Sequence, residues 1–243
     1  MELETTQDTL LGGRVQLHQP AQGYRVAIDP VLLAAAVPAR PGEHAVDLGA
    51  GVGAATLCLA ARLPQCLVTG VEISEPLVAI ARHNVAANHL ESRVSVIAGD
   101  VRERHGGPFH HAMANPPFAE PGSGTSSPDA GKRRANVEGD TRLAAWVEAA
   151  FAAVRDGGTV TFVHRADRVA ELLDAFARAG AGGIVLFPLW PKAGADAKRV
   201  LLQGRKGCRG PLRMAAGLVL HEADGAYSRA AQAVLRDGGA LTL

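Results

Sequence analysis

The chain has 243 residues, 47% of them hydrophobic, and a formal net charge of +1. This length and composition are typical of one α/β domain with a large core, and the near-neutral charge excludes a whole-molecule field as the basis of nucleic-acid binding. Cys58, Cys66 and Cys208 have neither metal nor redox spacing, and no secretion leader or membrane-spanning apolar run is recognisable. The composition therefore predicts a soluble, cytoplasmic protein with a single domain over residues 1–243.

The first forty residues predict a short N-terminal extension to the main fold. Two extended runs, 13–19 and 23–28, flank a proline-containing turn and predict a hairpin. Asp29 then supplies an N-cap, followed by a first-turn proline, for a short helix over residues 31–37.

From residue 44 onwards, short apolar strands alternate with helical segments. The predicted strands cover residues 44–48, 67–72, 94–98, 110–114, 159–164, 184–188 and 218–220, and the predicted helices cover 53–63, 76–88, 140–154, 167–179 and 228–236. This alternation implies a parallel sheet covered by helices on both faces. The predicted fold class is therefore α/β, with a doubly wound, mostly parallel sheet formed by residues 41–243.

A tight glycine turn follows the first of these strands and leads into a helix. Gly49, Gly51 and Gly53 suit such a turn, because it uses backbone angles closed to other residues and because a side chain would keep a ligand away from the backbone. The helix start offers unpaired N–H groups to a polar or anionic ligand. Together with Glu72 at the end of the next strand, the turn indicates a nucleoside cofactor but not which one.

Asn115, Pro116, Pro117 and Phe118 follow the strand 110–114, at the edge where open parallel sheets bind ligands. The two prolines fix the backbone and remove two N–H donors, which leaves nearby carbonyl groups available as acceptors. A planar amine would donate to the Asn115 side-chain oxygen and the Pro116 carbonyl while its ring stacks on Phe118. The segment therefore predicts an acceptor site for a planar amino group.

These residues resemble four successive motifs of the Rossmann-like, S-adenosylmethionine-dependent methyltransferases. The motifs are Asp47-x-Gly49-x-Gly51-x-Gly53, Glu72, Gly99-Asp100 and Asn115-Pro116-Pro117-Phe118. The segments 23–33 and 190–192 further resemble the bacterial tRNA adenine N6-methyltransferase family. The resemblance implies S-adenosylmethionine as the cofactor and the N6 amine of an RNA adenine, in a tRNA next to the anticodon, as the methyl acceptor.

The same resemblance implies a role for each side chain of the cofactor site. Glu72 would accept the ribose hydroxyls, and Asp100 would accept the adenine amine between the apolar walls Ile73 and Val101. Asp29 is either a helix cap or a ligand near the methionine end of the cofactor. The predicted cofactor set is completed by Asp47, Gly49, Ala50, Gly51, Gly53 and Asn115.

Two groups of basic residues are candidates for contacting RNA. The polar loop after Phe118 precedes Lys132, Arg133 and Arg134, which indicates either a lid that grips phosphates or a solvated turn. The second group lies in a span with a single acidic residue and is either an RNA footprint or a charged hairpin; it consists of Lys192, Lys198, Arg199, Arg205, Lys206, Arg209 and Arg213. The nine histidines show no ligand spacing, so no metal site is predicted.

Three alternatives to an RNA adenine stay open at this point. The same Asn-Pro-Pro-aromatic motif occurs in enzymes that methylate a glutamine amide of a protein, and DNA adenine is a second target. A non-catalytic RNA chaperone that binds the cofactor is the third. For a catalyst, hydrogen bonds to Asn115 and Pro116 would draw the lone pair of the amine toward its nitrogen as positive charge develops, and no strong general base is predicted.

Overall fold

The computed structural model describes residues 4–22, 25–117 and 142–243. Phe118 and the basic residues 132–134 lie outside the described residues. Within these ranges, no helix is both long and apolar enough to cross a membrane.

An antiparallel hairpin precedes the main fold, but the predicted pairing of its strands is wrong. Strand β1 (Thr5–Leu10) pairs with β2 (Val15–Pro20) through a 3-10 turn at Leu11–Gly13. Strand β2 corresponds to the first predicted run, and its partner precedes it, whereas residues 25–28 are not in a strand. The physical reason is the pair Gly12 and Gly13, whose φ angles of 64° and 93° close a tight turn there.

The main sheet has nine strands in the described part of the chain. They are β3 (His44–Leu48), β4 (Leu67–Glu72), β5 (Val94–Ala98), β6 (Phe109–Ala114), β7 (Val154–Arg165), β8 (Ala181–Lys192), β9 (Arg199–Lys206), β10 (Arg213–Met214) and β11 (Leu218–His221). Their order is β10-β8-β9-β7-β6-β3-β4-β5, and β11 also pairs with β8. Strand β9 runs antiparallel to both of its neighbours, and the other pairs are parallel.

Helices cover both faces of this sheet. They are α1 (Asp29–Ala36), α2 (Ala54–Arg62), α3 (Glu75–Ala87), α4 (Leu143–Ala153), α5 (Val169–Arg178) and α6 (Arg229–Leu235). Helices α1, α2, α3 and α6 share one apolar core with the N-terminal hairpin, and α4 and α5 share a second core on the other face. The prediction of a doubly wound, mostly parallel α/β fold is therefore confirmed.

Strand β9 is absent from the prediction, although it lies between two other strands of the sheet. Its buried centre, Val200–Leu202, is only three residues long and is flanked by polar residues, Arg199 before it and Gln203 after it. A short apolar run of this kind gives a weak strand signal in sequence. The span that the prediction treats as an RNA footprint or a charged hairpin thus contains a central strand, which pairs antiparallel with the preceding strand β8.

Candidate cofactor and acceptor site

The strand order reverses between β3 and β6, and both predicted motifs lie at this point. Leu48 pairs with Ala114 at the carboxyl ends of the two strands, and Gly49 and Asn115 are the next residues. Neighbouring strands are about 4.8 Å apart, so the glycine turn and the Asn-Pro-Pro segment begin side by side. Open α/β sheets bind their ligands in this crevice.

The glycine turn has left-handed backbone angles at three positions, and two of its glycines are required for different reasons. The φ angles are 71° at Gly49, 58° at Gly51 and 88° at Gly53. A Cβ on Gly49 would lie 2.5 Å from the Trp146 ring, whereas a Cβ on Gly51 would meet no atom within 4 Å. Gly49 is therefore needed for packing against the buried Trp146, and Gly51 leaves open space in front of the turn.

We expect Gly49→Ala to destabilise the protein more than Gly51→Ala. Both variants place a side chain at a positive φ, but only the methyl group of Gly49→Ala also overlaps the Trp146 ring. Gly49→Ala should therefore lower the free energy of unfolding by about 2 kcal/mol and Tm by about 4–8 °C. Thermal unfolding measures this. Combining Gly49→Ala with Trp146→Phe should recover part of the loss, and equal Tm values for the two alanine variants would contradict the packing argument.

Glu72 holds the glycine turn in place while remaining able to accept further hydrogen bonds. Its side chain is buried, with the amide of Gly51 donating to Oε2 at 2.9 Å and the amide of Ser74 donating to Oε1 at 2.9 Å. A carboxylate has about four lone-pair positions. Two acceptor positions thus remain for the pair of ribose hydroxyls that the sequence assigns to this residue.

The predicted adenine slot combines an exposed apolar side chain with a carboxylate. Ile73 is 67% exposed and Val101 is buried. The Asp100 carboxylate accepts hydrogen bonds from Arg102, at 3.0 Å from Nε and 2.5 Å from Nη2. These bonds are the main cause that lowers the pKa of Asp100 below its usual range. Arg102, which the sequence analysis missed, keeps Asp100 ionised, so a ligand amine would share the carboxylate with this guanidinium.

Asp47 lies beneath the turn rather than on its open side. Its side chain is 2% exposed, and the Thr56 hydroxyl donates to Oδ2 at 2.7 Å. Burial is the main cause that raises the pKa of Asp47 to about 7; the hydrogen bonds from Thr56 oppose the rise, and the nearby charge of Glu72 adds to it. The bond to Thr56 ties strand β3 to the first turn of helix α2, which closes the strand–turn–helix unit. A role of Asp47 toward the cofactor stays a prediction.

Asp29 is not the N-cap that the sequence suggests. Helix α1 begins at Asp29 itself, with Ile28 at the cap position and no side-chain capping bond. The Asp29 carboxylate is nearly buried and accepts a hydrogen bond from Nε of Arg199 at 3.1 Å. An acid in the first turn is favourable with the helix dipole, and here it also anchors strand β9. The alternative role, as a cofactor ligand, stays a prediction.

Asn115 has a buried hydrogen-bond acceptor next to the carboxyl end of β6. Its Oδ1 atom is inaccessible to solvent and has no hydrogen-bond partner among the described residues. Pro116 is buried and Pro117 is half-buried. Leaving a buried acceptor unpaired costs about 1–3 kcal/mol, so this geometry is favourable only when a donor reaches the oxygen. An amino group is such a donor.

The predicted RNA-contacting basic residues between Lys192 and Arg213 do not form one continuous surface. Arg165 pairs with Arg199, and Leu189 pairs with Arg199 on the other side, whereas Lys206 pairs with Ala181. Because β7 runs parallel to β6, its Arg165 end lies at the edge that carries Asn115. Lys192, Lys198 and Arg199 thus lie at the Asn115 edge, whereas Arg205, Lys206 and Arg209 lie toward the opposite one. Arg213 pairs with Val185 and is level with Met113 of β6.

Three arginine side chains lie close to His164 at the Asn115 edge. His164, buried near the end of β7, has its pKa lowered to about 4, first by burial and then by the charges of Arg168, Arg199 and Arg165. Arg165 and Arg168 are ion-paired with Asp167 and Glu171.

In the described ranges, no three His, Cys, Asp or Glu side chains converge where they could hold a metal ion.

Comparison with known proteins connects this site to methyl transfer. The family described as "Methyltransferase small domain" matches residues 25–133. The tRNA1(Val) (adenine(37)-N6)-methyltransferase of Aeromonas hydrophila subsp. hydrophila is 30% identical over 206 residues, covering 84% of this chain and 85% of that protein. Its counterpart from Aeromonas salmonicida is 29% identical over the same coverage. A crystal structure of a predicted O-methyltransferase from Agrobacterium tumefaciens superposes with a TM-score of 0.71 at 28% identity, covering 88% of this chain and 98% of that one.

Proposed function

Because the chain belongs to the tRNA1(Val) (adenine(37)-N6)-methyltransferase family, we propose that it methylates the N6 amine of an adenine in tRNA, next to the anticodon. The observation that carries this proposal is the buried Oδ1 of Asn115, an acceptor without a partner among the described residues, at the crevice beside the glycine turn. An exocyclic amine has the donor that this oxygen lacks.

S-adenosylmethionine is the cofactor, and it supplies a methyl group on a positively charged sulfur. The residues present suit it: Gly51 leaves open space, Glu72 retains acceptor positions, and the exposed side chain of Ile73 offers an apolar wall. Asp100 accepts an amine, and Val101 closes the slot from the core side. We propose that these side chains orient the cofactor, with Asp29, Asp47, Gly49, Ala50 and Gly53 shaping the turn and its surroundings.

The acceptor residues are proposed to act on the charge that develops during transfer. The lone pair of an aromatic amine is delocalised into the ring, which makes it a poor nucleophile. Hydrogen bonds from its two N–H groups to Asn115 Oδ1 and the Pro116 carbonyl strengthen as the nitrogen becomes positive, so they stabilise the transition state more than the ground state. Pro117 keeps the backbone rigid, and Phe118 is proposed to stack on the base. The product loses its proton to solvent.

The target base has to leave any helical stack before it can reach this crevice. A nucleotide in an anticodon loop meets this requirement at low cost, because it is already unpaired. The glutamine amide of a protein carries a similar planar amino group, and only the identity of the methylated product separates the two substrates.

Lys192, Lys198 and Arg199, at the Asn115 edge, are proposed to contact the RNA backbone. We expect Lys198→Ala to raise KM for tRNA about fivefold. It should also reduce the slope of log binding constant against log salt concentration by about one, the value expected for one lost phosphate contact. Arg209→Ala, an exposed cation toward the opposite edge, is the matched control and should change neither. Equal effects of the two variants would show that overall charge, rather than this edge, attracts the RNA.

The function is tested by transfer of labelled methyl from S-adenosylmethionine to bulk unmodified tRNA, followed by nucleoside analysis. The expected product is N6-methyladenosine in the reaction with the native protein and none with Asn115→Ala. Label in protein but not in RNA would overturn the tRNA assignment in favour of glutamine. Label in neither, with RNA binding retained, would favour the chaperone.

We further propose that residues 1–243 act as one domain in the cytoplasm. The hairpin residue Leu17 and the α6 residue Ala231 belong to the same buried core as Leu57 of helix α2. Separate removal of either terminal element would therefore expose part of the central core.

A further inference from the structure

Two asparagines of helix α3 hold the N-terminal hairpin by the same bonding pattern. Asn84 Oδ1 accepts the amide of His18 at 2.7 Å, and its Nδ2 donates to the His18 carbonyl at 2.8 Å. One turn later, Asn88 Oδ1 accepts the amide of Gln16 at 2.8 Å, and its Nδ2 donates to the Gln16 carbonyl at 2.7 Å. Each side-chain amide takes the place of a strand residue beside β2, and together they attach the hairpin to α3.

The two asparagines differ in the use of their second N–H group. Asn84 Nδ2 also donates to the carbonyl of Val52 at 2.9 Å, whereas Asn88 Nδ2 donates to the carbonyl of Asn84 within the helix at 2.7 Å. Asn84 is fully buried. Both of its N–H groups and its oxygen are thus paired, and it joins the hairpin, helix α3 and the glycine turn.

Val52 lies between Gly51 and Gly53, where the chain has little intrinsic preference for a single conformation. Glycine at a positive φ contributes no side chain that could hold the turn, so its conformation depends on contacts made by the backbone. Glu72 anchors the turn at the amide of Gly51, on the cofactor side. Asn84 anchors it at the carbonyl of Val52, on the side of the hairpin.

We infer that Asn84 is a positioning residue of the cofactor site and that the N-terminal hairpin acts on cofactor binding through it. The hairpin gives Asn84 two of its hydrogen bonds, which fix the amide so that its remaining N–H group holds the Val52 carbonyl. A turn held in its binding conformation before the cofactor arrives avoids an ordering cost on binding. Asn88 makes the same attachment to the hairpin without reaching the turn, so it has no such role.

The inference predicts different cofactor affinities for two chemically identical substitutions. Calorimetry should give a Kd for S-adenosylhomocysteine about tenfold higher in Asn84→Ala than in the native protein, equivalent to about 1.4 kcal/mol. In Asn88→Ala, the Kd should change by less than about twofold. Val85→Ala, a buried apolar truncation on the same helix, controls for loss of stability alone and should lower Tm without changing the Kd. RNA is absent from this measurement, so the result is independent of the proposed methyl acceptor.

Hydrogen exchange of the native protein tests the same link without any substitution. S-adenosylhomocysteine should slow exchange of the His18 amide, which donates to Asn84, more than exchange of the Gln16 amide, which donates to Asn88. Equal Kd values for the two asparagine variants, or equal protection of the two amides by the ligand, would overturn the inference. If Asn84→Ala does not fold, the exchange measurement decides alone.

Discussion

Replacing Asn115 by alanine should lower kcat for methyl transfer by roughly 10²–10³-fold, because the variant loses an acceptor aimed at the charge that develops in the transition state. The same variant should be slightly more stable than the native protein. Its buried Oδ1 has no partner among the described residues, and removing an unpaired acceptor recovers about 1–3 kcal/mol of desolvation. Single-turnover kinetics and thermal unfolding measure the two effects.

Asn88→Ala is a suitable control, because it removes the same side chain at a position remote from the crevice. It should retain kcat. A large loss of stability in Asn115→Ala would mean that its activity loss reflects unfolding, and undiminished kcat would remove Asn115 from the catalytic site altogether. A substitution that lowers activity and raises stability is expected at a site whose acceptor is held ready for a donor that only the substrate supplies.

Asp47→Asn should stabilise the protein by about 4 kcal/mol at pH 8 and by much less at pH 5. The carboxyl has a pKa of about 7 in the folded chain, against an ordinary value of 3.8, mainly because it is buried. Above pH 7 the folded protein therefore carries a buried charge that opposes folding, and this cost disappears as the pH falls from about 7 to about 4. Urea unfolding of both proteins between pH 5 and pH 8.5 gives the difference.

The difference between the two proteins isolates Asp47 from the other groups that titrate in this range. His44, His111 and His164 have their pKa values lowered, mainly by burial, so they remove stability as the pH falls below about 6.5, but they do so equally in both proteins. Thr56→Val removes the hydroxyl that donates to Asp47 and should destabilise the protein most above pH 7. A difference between Asp47→Asn and native protein that does not vary with pH would show that the carboxyl ionises normally.

The predicted elements that match the structure are those specified by contiguous residues. The strand, glycine turn and helix from His44 to Arg62 are recognisable because the hydrophobic period changes where Gly49, Gly51 and Gly53 interrupt it. The N-terminal hairpin and β9 are harder to predict from local sequence patterns. Strand β1 is polar and alternates in exposure, and the buried part of β9 is short, so their pairing depends on partners elsewhere in the chain.

The sequence by itself determined the alternation of strands and helices from β3 to β8 and the residue types at the carboxyl ends of β3, β4, β5 and β6. Those features are local, since they follow from apolar periodicity and from glycine and proline chemistry. Only the tertiary structure decided that Asp29 pairs with Arg199, 170 positions away, and that Asn84 links the hairpin to the glycine turn. It also divided the basic residues between two edges of the sheet. Such contacts depend on strand order and register, which are set by packing between distant segments and leave no local pattern in the sequence.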